Sequence, residues 1–72
     1  MIGNRVKELR TRRGMSVAEL ARRTKLSRVT ITNVEEGKII PNMKTAYLIS
    51  KELDKSMTEV FYEVNNEQQV KK

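Results

Sequence analysis

Residues Ser16 to Glu36 constrain this chain most, because two helix starts, a turn and a helix end are written into one short stretch. Ser16-Val17-Ala18-Glu19 has the form of a capping box. In such a box the Ser hydroxyl accepts from the backbone amide three residues on, and the Glu carboxylate reaches back to the cap amide. A helix is therefore expected from Val17, with Leu20 and Ala21 turned inward. Lys25-Leu26-Ser27 then turns the chain, and Ser27 caps a second helix. Ile31 and Val34, three apart, give that helix one apolar stripe and leave Arg28, Val29, Thr32 and Asn33 on its other sides. Gly37 ends it, since glycine adopts the left-handed conformation after a helix without steric penalty.

The flanks extend the same logic. Gly3 or Asn4 is expected to cap a first helix running to about Arg13, with Val6 and Leu9 inward, Gly14 as its stop and Met15 packed back over its end. After Gly37, Lys38 to Ile40 read as a loop. Pro41-Asn42 lead into a fourth helix capped by Asn42, in which Ala46, Ile49 and Leu53 recur at helical spacing. Asp54-Lys55 read as a turn, and Ser56-Met57-Thr58-Glu59 as a second capping box opening a short fifth helix with Val60 and Phe61. These elements predict an all-α, compact five-helix domain over residues 1–64 that requires no sheet. Phe61 to Val64 alternate weakly, as a short exposed strand does, and Asn65-Asn66 offer a turn toward Gln68 to Val70. The other reading of residues 65–72 is a frayed polar tail.

Composition narrows the chemistry. Seventy-two residues suit one domain with a marginal core, without room for a separate ligand-sensing unit. The chain has no Cys and no His, which removes disulfides and the usual zinc ligands, so neither metal nor cofactor is expected. It has no Gly-rich phosphate loop and no clustered pair of acids. Glu35 and Glu36 are adjacent and so point to different faces of a helix, which argues against an enzyme. No run of about 18 apolar residues and no signal-peptide stretch is present, and a cytoplasmic location without membrane contact is expected. The basic first helix has too narrow an apolar face to insert strongly into a membrane surface. The net charge of +6 is uneven: residues 1–28 carry nine Lys and Arg against two acids, and residues 29–72 six Lys against seven acids. Charge alone fits either a solvated basic face or a polyanionic partner.

With its small and apolar positions, two caps, terminal Gly and downstream Pro-Asn in register, this stretch resembles the helix-turn-helix domains of the phage repressor and Cro type, the XRE family. The matches are Ala21, Leu26, Ser27, Ile31, Val34, Glu35, Gly37, Lys38 and Pro41, and the resemblance runs from about Arg5 to Phe61. Two positions depart from it. Lys25 stands where the family usually has Gly, and Val17 stands where it often has a Gln that touches DNA. The resemblance implies a lambda-repressor-like fold and a bacterial or phage-encoded transcriptional regulator of double-stranded DNA, associated with the nucleoid when bound. Repression by occupying an operator is its usual mode, although nothing in the sequence indicates direction.

It also implies roles for individual residues. Arg28, Val29, Thr32 and Asn33 would read bases: an Arg fork suits guanine, an Asn amide suits adenine, and Val and Thr methyls suit the thymine methyl. Ser16, Ser27, Thr30, Lys38 and Lys44 would hold the DNA backbone. Arg10 would form a structural ion pair with Glu35. One helix reads only about four to six base pairs, so a homodimer on a palindromic operator is expected, with contacts around the turn after the fourth helix, the fifth helix, Phe61 and Tyr62. No small-molecule ligand is expected, and relief by a partner protein or antirepressor is one route left open. The competing class is an antitoxin that binds a toxin protein and uses DNA binding to regulate itself, for which an extension able to wrap a partner would be the distinguishing feature.

Overall fold

The computed structural model describes residues 2–64 and contains five helices and two short strands. In chain order they are β1 (Ile2–Asn4), α1 (Val6–Arg12), α2 (Val17–Thr24), α3 (Arg28–Glu35), α4 (Met43–Glu52), α5 (Met57–Val60) and β2 (Phe61–Glu63). The expected all-α five-helix domain is thus present, with a small antiparallel sheet added.

The helix starts follow the sequence closely. The side chains of Ser16, Ser27, Asn42 and Ser56 each accept from the backbone N–H three residues on, those of Glu19, Thr30, Thr45 and Glu59. Each bond satisfies one of the amide groups that a helix start leaves without a partner. The reciprocal half of the capping box forms only at Ser56, whose N–H donates to Glu59 Oε1 at 2.8 Å. That bond holds the Glu59 carboxyl below its usual pKa. At Ser16 the expected box is half made. The Glu19 carboxylate turns away from the cap amide and takes Arg22 at 2.7 Å and Arg23 at 2.6 Å, which likewise lower its pKa. Two cationic donors outcompete one amide for the same oxygens.

One termination device recurs at the ends of α1 to α4. A residue one or two positions past each helix is left-handed: Gly14, Lys25, Gly37 and Asp54, with φ of 72°, 63°, 74° and 60°. In each case the next residue donates its N–H far back into the final turn. Met15 reaches Arg10 O, Leu26 reaches Ala21 O, Lys38 reaches Asn33 O and Lys55 reaches Ser50 O, all at 2.9–3.1 Å. This is the Schellman pattern, in which the pair of bonds satisfies carbonyls that the helix end would otherwise leave open. Met15 and Leu26 also fold back onto the core, the first buried within it and the second packed against it.

The core comprises Val6, Met15, Leu20, Ala21, Ile31, Val34, Ile49, Leu53 and Val60, with Leu9, Val17, Leu26 and Phe61 packed against it. Every helix contributes, and α2 lies against both α3 and α4. Within this core sits a charged pair. Arg10 Nε donates to Glu35 Oε2 at 2.7 Å and Nη2 to Oε1 at 3.1 Å, while Nη1 donates to Met15 O at 2.9 Å. The two side chains are 9% and 7% exposed, so the pair joins α1 to the end of α3 almost out of water.

The N-terminus departs from expectation. Gly3 and Asn4 do not begin α1; they lie in β1, antiparallel to β2, with Ile2 opposite Glu63, Gly3 opposite Tyr62 and Asn4 opposite Phe61. Asn4 still serves the helix, since its Oδ1 accepts from Val6 N at 3.0 Å, but Arg5 is the capping residue and makes no side-chain cap bond. The weak strand pattern at Phe61 to Val64 is therefore real over Phe61–Glu63, and its partner among the described residues is the N-terminal strand; the expected turn toward Gln68 to Val70 lies outside the described residues. A Cβ at Gly3 would lie 2.6 Å from Tyr62 Cε1, so a larger residue there would displace the exposed Tyr62 ring. The tail expected at residues 65–72 lies outside the described residues.

Two stability predictions follow from these contacts. Glu35→Ala strands the Arg10 guanidinium in the interior and should cost about 3–5 kcal/mol in urea unfolding, whereas Glu8→Ala, which removes the exposed pair with Arg12, should cost less than about 1 kcal/mol. Lys25→Gly relieves a left-handed residue bearing a side chain and should gain roughly 0.5–1 kcal/mol, the strain relieved exceeding the added freedom of the unfolded chain.

Candidate nucleic-acid interface

The site is built on α2, the turn Lys25 to Ser27, and α3. Three local features make the turn tight: left-handed Lys25, the 3.1 Å bond from Leu26 N to Ala21 O, and the start of α3 at Ser27. Ala21 is 5% exposed and Leu26 packs against the core, so the turn is anchored on its apolar side. A small residue in the first helix allows the second to cross close to it.

Ile31 and Val34 are fully buried and fix the rotation of α3 about its own axis. That rotation puts Arg28, Val29, Thr32 and Asn33 on the opposite strip, because positions i, i+1, i+4 and i+5 share a helical face. Arg28 and Val29 are exposed, while Thr32 and Asn33, one turn further on, are half-buried. Val29 is 68% exposed, which leaves its methyl groups available to an apolar partner. Arg28 has no carboxylate within salt-bridge distance among the described residues, in contrast to Arg10, Arg12, Arg22 and Arg23. Its guanidinium fork is left available to a ligand.

The backbone-binding candidates are more varied. Ser16 and Ser27 are exposed at the starts of α2 and α3, each with its oxygen engaged in capping. Ser27 Oγ and Thr30 Oγ1 lie 2.9 Å apart, so a hydroxyl hydrogen at the start of α3 is shared between them. Lys38 is 66% exposed and pairs with Glu36 Oε1 at 3.2 Å, a contact it would give up to meet a phosphate. Lys44 is exposed in the first turn of α4, one residue after Met43 and close to the Asn42 cap. The strip on α3 and the starts of α2 and α3 are brought together by direct packing of α2 on α3.

Phe61 and Tyr62 lie apart from this surface in β2. Phe61 is half-buried against the core and so is already used by the fold. Tyr62 is 43% exposed, its ring over Gly3 and 5.8 Å from the Arg5 guanidinium. Two features escape a reading of the sequence. Exposed Ile40, Met43 and Tyr47 form an apolar run from the α3–α4 loop along α4, which the helical pattern Met43, Tyr47, Lys51 signals in retrospect. Asn4 reaches α3, a contact that no local pattern announces. Among the described residues no three His, Cys, Asp or Glu side chains are grouped to hold a metal, and no helix is long and apolar enough to cross a membrane.

Comparison with known proteins bears on the same residues. A helix-turn-helix family model matches residues 6–60, which span all five helices. An uncharacterized HTH-type transcriptional regulator of Archaeoglobus fulgidus is 37% identical over 57 residues, 79% of this chain and 80% of the relative. YgzD of Bacillus subtilis, also described as an uncharacterized HTH-type transcriptional regulator, is 36% identical over 59 residues, 82% of this chain and 89% of its own length. A further A. fulgidus regulator of the same description is 33% identical over 57 residues. With its matched helices, its tight turn and the outward strip on α3, the chain belongs to the XRE-type helix-turn-helix family.

Proposed function

We propose that this protein is a transcriptional regulator that binds double-stranded DNA sequence-specifically through α3, and that it acts as a repressor by occupying a palindromic operator as a homodimer. The observation that carries this reading is the strip Arg28, Val29, Thr32 and Asn33, held outward by the burial of Ile31 and Val34 and containing an exposed Val beside an Arg that has no ion-pair partner among the described residues. A major groove admits one α-helix and presents a distinct donor and acceptor pattern for each base pair. In this reading Arg28 donates its fork to guanine, Asn33 pairs with adenine, and Val29 and Thr32 meet thymine methyls. The amides and hydroxyls at Ser16, Ser27 and Thr30, with Lys38 and Lys44, hold the phosphates and set the register.

The dimer supplies the length of sequence that one α3 lacks. The turn between α4 and α5 supports it as the contact region. An open depression there is lined by Tyr47, Ser50, Lys51 and Met57 among others. Tyr62 lies beyond α5 and would extend the contact.

The test is enrichment of a duplex DNA pool by the protein, followed by salt titration of the recovered site. The parent should enrich a palindrome. Arg28→Ala should relax one position of each half-site at a cost of about 1–3 kcal/mol. Lys38→Ala should weaken all sequences alike and flatten the salt slope by about one unit or less, since Glu36 already neutralises part of that charge. Equal, weak binding of every duplex by all three proteins would reject this reading.

A further inference from the structure

The two ends of α3 are fixed by different parts of the chain. Its start is set by the turn from α2. Its last turn is gripped by the N-terminal segment, through the Arg10 to Glu35 pair and through Asn4. Asn4 closes β1, where it stands opposite Phe61 of β2. Its Oδ1 accepts from Val6 N at 3.0 Å, and its Nδ2 donates to Val34 O at 2.9 Å, 30 residues away. The same Val34 carbonyl accepts Gly37 N at 3.1 Å, one of the two bonds that end the helix. The other runs from Lys38 N to Asn33 O at 2.9 Å. One side-chain amide therefore joins the terminal strand pair, the start of α1 and the final turn of α3, which carries Asn33 and to which Lys38 is bonded back through its N–H.

We propose that Asn4 is a positioning residue for sequence reading: it fixes the last turn of α3 against the terminal strand pair, so that closure of β1 on β2 sets the pose in which α3 meets the bases. The proposal rests on the reading of α3 given above. Asn4 touches no base itself. It acts through the Val34 carbonyl, holding a helix whose first-turn contacts depend on its tilt. A hydrogen bond of this kind adds little to global stability. Base contacts tolerate small misplacement poorly, because their geometry must hold to within about 0.5 Å. Phosphate contacts made by long, flexible side chains absorb such a shift. The expected signature is therefore loss of specificity with general affinity retained.

Asn4 permits a clean separation of its two bonds. Asn4→Asp keeps an acceptor for Val6 N–H but replaces the donor to Val34 O with a carboxylate oxygen that faces a carbonyl. Asn4→Ala removes both. The full chain and these variants are compared for binding to the enriched duplex and to an unrelated duplex, well below the melting temperature of each protein. Ile49→Val, a core truncation in α4, controls for lost stability. Amide resonances of Asn33, Val34, Gly37 and Lys38 report the last turn of α3 without DNA. We expect Asn4→Asp and Asn4→Ala to lower the ratio of specific to unrelated binding about tenfold, the worth of one misaligned base contact. Binding to the unrelated duplex should stay the same for Asn4→Ala, Ile49→Val should keep the parent ratio, and the four amides should shift in both Asn4 variants. If the parent prefers one duplex and Asn4→Asp keeps that preference, the positioning role is overturned while the DNA-reading role of α3 stands. If the parent prefers no duplex, both fall together.

Discussion

The buried pair of Arg10 and Glu35 is the interaction on which the arrangement of helices depends. Two charges taken out of water incur a large desolvation penalty, and only near-ideal geometry offsets it. Here Nε, Nη1 and Nη2 of the guanidinium each have an acceptor, and both carboxylate oxygens are taken. The pair binds α1 to α3 at a point where apolar residues of similar size would pack in many registers. A forked contact with three fixed distances admits one. Its contribution is thus to uniqueness of packing more than to total stability, and it is one of the contacts that orient α3, beside the burial of Ile31 and Val34.

Around that fixed point the chain relies on local signals of uneven quality. Four side-chain caps and four left-handed terminators divide a short chain into helices with almost no linker. Two of the terminators are Gly. The others, Lys25 and Asp54, hold the same conformation with a side chain attached, which a small domain tolerates where the following residue is well placed. Leu26 after Lys25 packs on the core, so the strain at the turn is offset by burial next door.

How much of this was legible in the sequence depended on whether the cause was local. Caps at Ser16, Ser27, Asn42 and Ser56, the stops at Gly14 and Gly37, and the inward positions Leu20, Ile31, Val34, Ile49 and Leu53 follow from short-range spacing, and the structure reproduces them. The outward strip on α3 follows from the same periodicity. Two features were not legible, one because its cause is distant and the other because local partners compete for one side chain. β1 holds only three residues, too few for a period to register, and its partner begins at Phe61. Glu19 satisfied the capping-box pattern in sequence, yet the nearby cations at Arg22 and Arg23 claimed its carboxylate. A motif states what a side chain is able to do; competing partners decide what it does.

The same competition changes what the formal charge means. Residues 1–28 carry most of the positive charge, yet Arg12, Arg22 and Arg23 sit against Glu8 and Glu19, and Arg10 is sealed inside. Farther on, Lys38 leans on Glu36. A cation with a carboxylate beside it must give up that contact before a polyanion can use it, and the carboxylate left behind repels the newcomer. The attraction that remains comes from the cations outside these pairs, Arg28 at the head of α3 among them. A chain of high isoelectric point is in this way made less adhesive than its composition suggests.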